Sequence, residues 1–555
     1  MINIIQQKSA EEIQDWIDIF NKLSERKYDK PVNSSFSLKD RTWPDKKIDK
    51  APIWAAVDLR DWNQSLETPM NVEQKLEYFN ILVNIWFKEI EIWFPSASQE
   101  DYDFTRLLIE WNHIPDDVKI GVLVPARKEL IEKTKESLKW AKNVIVHLYN
   151  STSEVQRKIV FKKNKEEITE LAVNWVKNIK ESFYDFEGNL FFEYSPESFT
   201  WTELEFAKEI SNSVLDEWWD FKENPVIINL PATIENSTPD VYADEIEYMC
   251  REIRDKRTVN EKVNVIISVY THNDRWTWIA ATELAIKAWA DRVEWVLLWN
   301  WERTWNTAID IVALNMATQW VSPQLDFSEW WEISKRISEL TNMPIPDRYP
   351  YIWKFVNLAF SGSHQDAIKK CFDYCKGKTW KWINAYLPFD PKDIWLFFLK
   401  YIPINSQSWK WWVAYVLQQN WYEMPKEIQP FIWNKIQKVT DEKKWILEDE
   451  EIVKIFEDSF INNIWKFDYS DFDENNFEWN WIIEKFSKYI SDKLDIEFRI
   501  KFYEQKSIWE WRDSDAISYF IIEIDWKEFI WIWKDTDILE ASKKWLISGI
   551  NNFIK

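Results

Sequence analysis

Glycine is nearly absent from this sequence, with 5 residues in 555, whereas tryptophan occurs 41 times. Glycine alone normally supplies about 7% of a globular chain, and here the two residues together reach about that share. Trp289 lies between a predicted helix and a predicted strand, where a left-handed glycine is usual. We interpret most tryptophans as glycines in the living protein, through a UGA codon read as glycine; a truly tryptophan-rich chain is the alternative. Trp43 and Trp54, in DRTWP and APIW, look like real tryptophans.

Cysteines, long apolar runs and positive charge are also scarce. The three cysteines, Cys250, Cys371 and Cys375, form no zinc or disulfide pattern, which fits a reducing compartment. No apolar run is long enough to cross a bilayer, and the N-terminus lacks the apolar core of a secretory signal. The formal net charge of −23 argues against nucleic acid or an anionic membrane as a partner. We therefore expect a cytoplasmic protein of two or three domains.

Eight apolar runs, separated by helical patterns, predict an α/β fold with parallel strands. The runs are Pro52–Leu59, Glu89–Phe94, Ile120–Val124, Asn143–Leu148, Leu190–Tyr194, Pro225–Leu230, Val263–Val269 and Arg292–Leu298. Eight β/α units over roughly 270 residues is the size of a (β/α)8 TIM barrel. Nearly every run ends in polar residues. Because the carboxyl ends of barrel strands meet at one mouth, we expect these side chains to converge on a single site.

Further segments flank the predicted barrel. We predict an N-terminal helix and arm at 1–48, the barrel at 49–325, helical subdomains that cover the active site at 326–440, and a linker with an α+β regulatory domain at 441–555. Three strands are expected in the tail, at Asp495–Tyr503, Ile517–Asp525 and Lys527–Trp533, followed by a helix from Asp537.

The segment from Asp58 to Gln64 (DLRDWNQ), followed by Lys75, resembles the R-D-G-x-Q-x10-K signature of the isopropylmalate synthase and homocitrate synthase family, with Trp62 standing for glycine. The resemblance continues through HLYNSTS (147–153), NLPATIE (229–235), HNDRWT (272–277) and FSGSHQDAIKK (360–370), over nearly the whole chain. It implies a homodimeric acyltransferase of the longer bacterial type, which joins acetyl-CoA to 2-oxoisovalerate in the committed step of leucine biosynthesis. Leucine would inhibit it through the C-terminal domain.

The same resemblance implies a divalent cation, Mg²⁺, Mn²⁺ or Zn²⁺, held by Asp61, His272 and Asn306. An oxygen and nitrogen set with open positions suits these ions. At residue 270 the family has histidine and this chain has Tyr270, and a phenol is a poor ligand for these cations at neutral pH. Three explanations stay open: a weakened metal site, a His-to-Tyr sequence error, or lost catalysis. We favour a retained enzyme, because every other catalytic segment is present.

The resemblance also implies the catalytic residues. Arg60 would stabilise the developing alkoxide and enolate oxygens, and Glu91 would orient Arg60. His364, assisted by Tyr386 and Glu197, would take a proton from the acetyl methyl group, and this could happen across a dimer. Glu197 could instead cap a helix, and Tyr386 could serve packing. The keto-acid pocket would consist of Leu123, His147, Ser195, Asn229, Pro231 and Thr233.

Rival functions stay open at this point. A sister synthase would use pyruvate or 2-oxoglutarate, giving citramalate or homocitrate, and the size of the pocket would discriminate. A catalytically weakened leucine-binding relative is suggested by Tyr270. The turn 478–481 resembles the leucine loop, although the tail could be a plain dimerisation module. If its tryptophans are glycines, the loop 299–305 would let backbone N–H groups approach the acyl-CoA.

Overall fold

The computed structural model describes two compact units. They are Met1–Trp353 with Pro391–Leu396, and Lys354–Asp390 with Phe397–Lys555. The described residues are 14 and 30–535, apart from 126, 259–263, 299–305, 353–355, 357–360, 376–381, 395, 397–409, 421, 423, 444–446, 448, 462–481, 496 and 508–515. The predicted loop 299–305, the turn 478–481, the helix from Asp537, and residues 1–13 and 15–29 of the predicted N-terminal helix and arm therefore lie outside the described residues.

The first unit contains a closed barrel of eight parallel strands, which confirms the predicted fold class. The strands are β1 (Ile53–Ala56), β2 (Glu89–Glu91), β3 (Lys119–Leu123), β4 (Asn143–Ser151), β5 (Asn189–Glu197), β6 (Val226–Ala232), β7 (Val265–Thr271) and β8 (Arg292–Trp295). Each strand pairs with the next one in sequence. The barrel closes where β1 pairs with β8, from Ile53 opposite Arg292 to Ala56 opposite Trp295.

Helices alternate with these strands along the chain. Those of the first unit are Val72–Asn84, Gln99–Glu110, Lys128–Ser137, Lys165–Ser182, Leu204–Trp218, Pro239–Met249, Trp278–Lys287, Ile309–Thr318 and Trp330–Thr341. Two of them begin with a capping box, in which Asn71 pairs with Gln74 and Asn164 pairs with Glu167. Such boxes satisfy backbone N–H groups that have no partner inside the helix, and so fix where the helix starts. None of the helices in the described part of the chain has the length and apolar character needed to traverse a membrane.

Among the strands that differ in length from the sequence prediction, β1, β4 and β5 position the site. β1 ends at Ala56 rather than Leu59, because the chain from Asp58 to Trp62 forms a π-helical turn. That turn carries two of the predicted site residues. β4 and β5 are longer than predicted and run to Ser151 and Glu197, so both strands extend into the mouth of the barrel.

The second unit combines helices with an antiparallel sheet. Its helices are Gly362–Cys375, Lys410–Gln419, Gln429–Lys443, Asp449–Phe456 and Ile482–Leu494. Its strands, β9 (Arg499–Ser507), β10 (Ala516–Ile524) and β11 (Lys527–Asp535), have the order β11-β10-β9. These strands confirm the three that the tail sequence predicts. Alternate residues of β10, such as Ile517 and Tyr519, are buried in one core with Ile432 and Phe456 of the neighbouring helices.

The junction after the helix Trp278–Lys287 has the backbone that the sequence predicts. Trp289 has a φ of 77°, in the left-handed region. Its N–H donates to the carbonyl of Ile286 at 3.1 Å, and the N–H of Ala290 donates to the carbonyl of Ala285 at 3.0 Å. This is a Schellman motif, whose left-handed residue is usually glycine.

Candidate active site

A cavity of about 410 Å³ lies at the carboxyl ends of the barrel strands. It is lined by Arg60, Asp61, Gln64, Phe94, Leu123, His147, Tyr149, Ser195, Glu197, Asn229, Pro231, Thr233, Tyr270 and His272. The lining includes every predicted keto-acid residue and half of the predicted catalytic and cation-binding residues, namely Arg60, Glu197, Asp61 and His272. Side chains that are far apart in sequence therefore meet at one mouth, as parallel barrel strands require.

A larger depression of about 1250 Å³ is lined mainly by charged residues and also by the first residues of β4 and β5, Asn143 and Asn189. Lys135 and Asp185 form an ion pair there with a distance of 2.5 Å between Nζ and Oδ1. The amino ends of barrel strands serve stability rather than chemistry. We therefore place the candidate active site at the smaller cavity.

The register between β4 and β5 aligns polar side chains of the mouth. Tyr149 lies opposite Ser195, and Ser151 lies opposite Glu197. Side chains two residues apart on a strand share a face, so Tyr149 and Ser151 follow His147 on the same side of β4. The hydroxyl of Ser151 donates a hydrogen bond to the Glu197 carboxylate, which fixes that carboxylate beside the cavity.

A chain of hydrogen bonds crosses the barrel beneath the cavity. Arg60 Nε donates to Glu91 Oε1 at 2.5 Å, and Glu91 Oε2 lies 2.8 Å from His147 Nδ1. His147 Nε2 lies 2.8 Å from Ser195 Oγ, which also accepts from Asn229 Nδ2 at 3.1 Å. When the ring carries a proton on Nδ1 alone, Nδ1–H donates to the carboxylate and Nε2 accepts from Ser195, so both ring nitrogens and both Glu91 oxygens have partners.

Glu91 stays ionised in this chain although it is buried. Burial would raise the pKa of Glu91, but the charge of Arg60 and the contact with His147 lower it below its ordinary value. Gly121 leaves room for this carboxylate. A Cβ atom at Gly121 would lie 3.2 Å from Glu91 Cα, so only glycine fits without displacing β2.

A second group of charges forms the floor below this chain. Arg292 Nε donates to Glu89 Oε2 at 2.6 Å, and its Nη1 contacts Glu193 at 3.2 Å and also Glu294. Burial would raise the pKa of Glu294, but Arg292 holds it at about 2. Burial raises the pKa of Glu193 well above its ordinary value, and Glu294 adds to that shift. The pKa values of these two neighbouring carboxyl groups therefore shift in opposite directions, as those of coupled acids do.

Among the described residues, His147, Glu193 and Glu294 place one ligand atom each within 4.8 Å of the others, close enough to hold a metal ion. All three are buried. Both ring nitrogens of His147 already have partners, and Arg292 contacts both carboxyl groups. A cation here would have to displace these bonds.

The structure brings together the three residues that the resemblance predicts as cation ligands. His272 and Asn306 form an isolated β-bridge, and Asp61 and His272 both line the cavity. Asp61 forms an ion pair with Arg60 through its Oδ1. The hydroxyl of Tyr270 donates to Asp61 Oδ2 and accepts from Asn306 Nδ2, the latter at 3.0 Å. Asp61 and Asn306 are fully buried.

The remaining predicted pocket residues supply the cavity wall. Leu123 is 3% exposed and Ser195 is 4% exposed, so neither is an ordinary surface side chain. Thr233 Oγ1 accepts a hydrogen bond from the backbone N–H of Ser198 at 3.0 Å, which ties the loop after β6 to the end of β5. Asn229 Oδ1 is buried and has no hydrogen-bond partner among the described residues.

His364 and Tyr386 belong to the second unit and form a pair of their own. Their rings stack with centroids 4.1 Å apart and an angle of 27° between the planes. His364 lies in the first turn of the helix Gly362–Cys375. The side chains of His364 and Tyr386 are both exposed.

Sequence reasoning did not assign four residues that the structure places at the mouth: Gln64, Phe94, Tyr149 and Ser151. Phe94 and Tyr149 form an edge-to-face pair with centroids 6.4 Å apart. The signal for Tyr149 was its position two residues after His147. That position predicts a site residue only if β4 continues beyond its predicted end at Leu148.

Comparisons with known proteins agree with this geometry. A family model described as HMGL-like matches residues 51–337, and one described as "Alpha-isopropylmalate synthase, post-catalytic domain-like" matches residues 354–418. A protein named 2-isopropylmalate synthase from Clostridium acetobutylicum is 48% identical, with 77% of this chain and 76% of that protein covered. Proteins of the same name from Agrobacterium fabrum and Corynebacterium efficiens are 42% and 40% identical. The match covers 94% of this chain and 97% of the Agrobacterium protein, and 93% of this chain and 95% of the Corynebacterium protein.

Proposed function

Because the chain belongs to the 2-isopropylmalate synthase family, we propose that its barrel mouth condenses acetyl-CoA with 2-oxoisovalerate. The chain is accordingly an acyltransferase of leucine biosynthesis. The observation that carries the proposal is that Arg60, Asp61, His147 and His272, from three different strand ends, line one cavity. Such convergence is what an acyl-transfer site in a TIM barrel needs.

The chemistry needs a base, a stabilised oxyanion and water. The base removes a proton from the acetyl methyl group, and the enolate carbon then bonds to C2 of the keto acid. The former ketone oxygen becomes an alkoxide and takes up a proton. Water next attacks the thioester carbonyl, the C–S bond breaks, and 2-isopropylmalate and CoA leave. Arg60 is suited to the alkoxide because its guanidinium lines the cavity and is held by Glu91.

We place a divalent cation at Asp61, His272 and Asn306. The fit is supported by Asn306 Oδ1, a fully buried amide oxygen with no hydrogen-bond partner among the described residues, as expected of an oxygen reserved for a ligand. A cation bound there would polarise the keto-acid carbonyl and hold its carboxylate. We prefer this site to the cluster of His147, Glu193 and Glu294 because, although Arg60 and Tyr270 contact Asp61, Asn306 Oδ1 has no partner among the described residues.

We propose two groups as the proton acceptor, the carboxylate of Glu197 and the imidazole of His364. Glu197 lines the cavity and is oriented by Ser151. His364, stacked on Tyr386, supplies the second proposed base, an imidazole. The family resemblance assigns His364 to the site of a partner subunit in a homodimer. An imidazole and a carboxylate are both common proton acceptors in catalysis. Tyr386 would then keep the His364 ring in a fixed plane.

The pocket favours a small branched keto acid over its rivals. Leu123 and Pro231 supply an apolar wall, and Thr233 and Ser195 supply oxygen atoms near it. A second carboxylate, as in 2-oxoglutarate, would be buried against this apolar wall, which costs free energy unless the charge is paired. Pyruvate would fit but would leave part of the apolar wall uncovered, which loses about 0.8 kcal/mol per methylene group.

The second unit is proposed to carry feedback regulation by leucine. Support comes from the match to the post-catalytic family model and from the separate sheet β9–β11 with its own apolar core.

We also propose that the protein works in the cytoplasm, since its cysteines are free thiols.

Steady-state assays of CoA release test the proposed function. The purified chain is supplied with acetyl-CoA, a divalent cation, and 2-oxoisovalerate, pyruvate or 2-oxoglutarate in turn. We expect the highest kcat/KM with 2-oxoisovalerate and a lower rate when leucine is added. A higher kcat/KM with pyruvate or 2-oxoglutarate would replace the function with that of a sister synthase. Absence of CoA release with all three acids would favour a non-catalytic relative.

A further inference from the structure

Tyr270 occupies a special position among the proposed cation ligands. Its hydroxyl contacts both Asp61 and Asn306, so its oxygen lies within reach of any ion that these two residues share. The ring is 6% exposed and stacks on Trp295 with centroids 4.3 Å apart and an angle of 23° between the planes. The guanidinium of Arg60 lies 5.9 Å from the ring centroid.

These contacts give the site an unusual balance of donor atoms. Asp61, Asn306 and Tyr270 each offer an oxygen, and His272 offers the one imidazole of the set. Imidazole ligands suit Zn²⁺, whereas carboxylate, carbonyl and other oxygen ligands suit Mg²⁺ and Mn²⁺. A phenol that keeps its proton is also a weak donor, so the ion would be held loosely.

We propose that Tyr270 is a ligand that sets the cation preference of this site. Its phenol oxygen lowers the ratio of the Zn²⁺ affinity to the Mn²⁺ affinity. The inference rests on the cation site of the proposed function. It deepens that function by naming the class of ion, a hard divalent cation bound mainly by oxygen. In most sites Zn²⁺ binds more tightly than Mn²⁺, so the measurable quantity is the ratio of the two affinities rather than either one.

Metal binding to the full chain tests the proposal independently of activity. The protein is stripped of metal, and the binding of Mn²⁺ and Zn²⁺ is measured by equilibrium dialysis with elemental analysis. For Tyr270→His we expect the Zn²⁺ affinity to rise at least about tenfold more than the Mn²⁺ affinity. The matched variant Tyr270→Phe keeps the ring and its stacking but lacks the oxygen. We expect it to bind Mn²⁺ severalfold more weakly, with little change for Zn²⁺.

Three results would overturn this inference. Equal changes for both ions in Tyr270→His would mean that residue 270 does not set the preference. Tighter Mn²⁺ binding by Tyr270→Phe would mean that the phenol keeps the ion out rather than binding it. A wild-type chain that binds neither ion, yet releases CoA, would remove the cation site altogether and leave the condensing function in place.

A separate observation concerns the tryptophans. Trp86, Trp289 and Trp320 each lie just beyond the end of a helix, with φ values of 79°, 77° and 70°. In all three cases the following residue donates its N–H to the carbonyl five residues earlier. These bonds run from Phe87 to Leu82 at 3.1 Å, from Ala290 to Ala285 at 3.0 Å, and from Val321 to Met316 at 3.0 Å. They define Schellman motifs, in which the left-handed residue is usually glycine.

Trp526 repeats the pattern in a hairpin. Asp525 and Trp526 form the two-residue turn between β10 and β11, with φ values of 49° and 64°. Two left-handed residues in a two-residue loop make a type I′ turn, for which Asp-Gly is a preferred sequence. The Trp526 side chain is 92% exposed, so nothing offsets the backbone strain.

Trp43 and Trp54 form the contrasting group. Both are buried, and their indole N–H groups donate to Asp244 Oδ1 and to the carbonyl of Pro323, each at 2.8 Å. We infer that residues 86, 289, 320 and 526 are glycine in the protein made by its own cells, whereas residues 43 and 54 are tryptophan. The backbone thus separates the two kinds of position, which composition alone does not.

Peptide mass spectrometry of the protein isolated from its own cells tests this assignment. We expect glycine at residues 86, 289, 320 and 526 and tryptophan at 43 and 54. Tryptophan at any of the four would overturn the inference, as would glycine at either of the two. In the chain made with tryptophan throughout, Trp289→Gly should raise the melting temperature by a few degrees and Trp43→Gly should lower it.

Discussion

Glu91 holds Arg60 by an ion pair in which Oε1 lies 2.5 Å from Nε. Glu91 is buried and Arg60 is partly buried, and the other carboxylate oxygen of Glu91 contacts His147. The guanidinium therefore has one strongly preferred orientation, with its charge directed along the cavity wall. A charge that is oriented before the substrate arrives stabilises a developing oxyanion without further reorganisation.

Replacing Glu91 should lower the rate without abolishing substrate binding. In Glu91→Gln the amide keeps the shape but loses the charge that fixes Arg60. We expect kcat to fall about 10- to 100-fold, the range found for outer partners that orient a catalytic group. Steady-state assays of CoA release measure it. Asp117→Asn, which makes the same change in a surface ion pair with Lys88, should leave kcat unaltered. Equal loss in both variants would contradict the role of Glu91.

Ser151 should act through Glu197. Its hydroxyl donates to the Glu197 carboxylate, and the backbone of Thr152 donates to the Glu197 carbonyl at 3.1 Å. Removing the hydroxyl in Ser151→Ala frees the carboxylate to rotate, and we expect kcat to fall about tenfold with little change in the KM for the keto acid. Ser151→Thr keeps the hydroxyl and should restore most of the rate. A matching loss in both variants would indicate a packing effect instead.

Asp58 makes stability depend on pH. Burial raises its pKa from 3.8 to about 7, despite hydrogen bonds from Leu297 and Tyr78. The folded chain binds this proton more tightly than the unfolded chain does. The contribution of Asp58 to the free energy of unfolding is therefore most favourable below pH 4. It falls as pH rises through about 7, by roughly 4 kcal/mol at most.

Asp58→Asn should remove that dependence. The amide can accept the same hydrogen bonds at Oδ1 and carries no charge to bury, so we expect a higher melting temperature at pH 8 and a flatter profile between pH 4 and 7. Thermal unfolding at several pH values measures it. A variant that is less stable than wild type at pH 8 would show that the Asp58 charge is compensated in the native barrel.

Much of the barrel could be predicted because its signals are local. Runs of apolar β-branched residues mark buried strands such as β7, and polar residues after them mark the mouth. The end of β4 could not be predicted at Ser151, because the polar segment from Tyr149 to Ser151 reads as a loop. It is a strand only because β5 lies beside it and supplies hydrogen bonds over its whole length. Propensity was overridden by a partner that is distant in sequence.

The floor of the site was missed for a related reason. Arg292 and Glu294 lie in a predicted strand, where charged residues read as one solvated face. In the closed barrel that face points inward, where Arg292 contacts Glu294 and also pairs with Glu89 and Glu193 from other strands. A single sequence does not show such long-range pairing. The sequence does identify the residues that match a known family, and most of those residues line the cavity.

Leu123 should set the length of keto acid that the cavity accepts. It ends β3, is 3% exposed and supplies apolar wall beside His147. Leu123→Ala removes three carbon atoms from this wall, and each methylene in such a pocket is worth about 1–3 kcal/mol of discrimination, or roughly 10- to 200-fold. We therefore expect the ratio of kcat/KM for 2-oxo-4-methylpentanoate to that for 2-oxoisovalerate to rise at least about tenfold.

The same substitution at a distant core position separates specificity from stability. Leu108 is fully buried in the helix Gln99–Glu110 and does not line the cavity. Leu108→Ala should cost roughly 2–5 kcal/mol of stability, as core leucine truncations do, yet leave the ratio of the two keto acids as it is in wild type. If both variants shift the ratio equally, loosening of the barrel rather than the shape of the Leu123 wall controls the choice of substrate. If only Leu123→Ala shifts it, the wall at the end of β3 measures the keto-acid side chain directly.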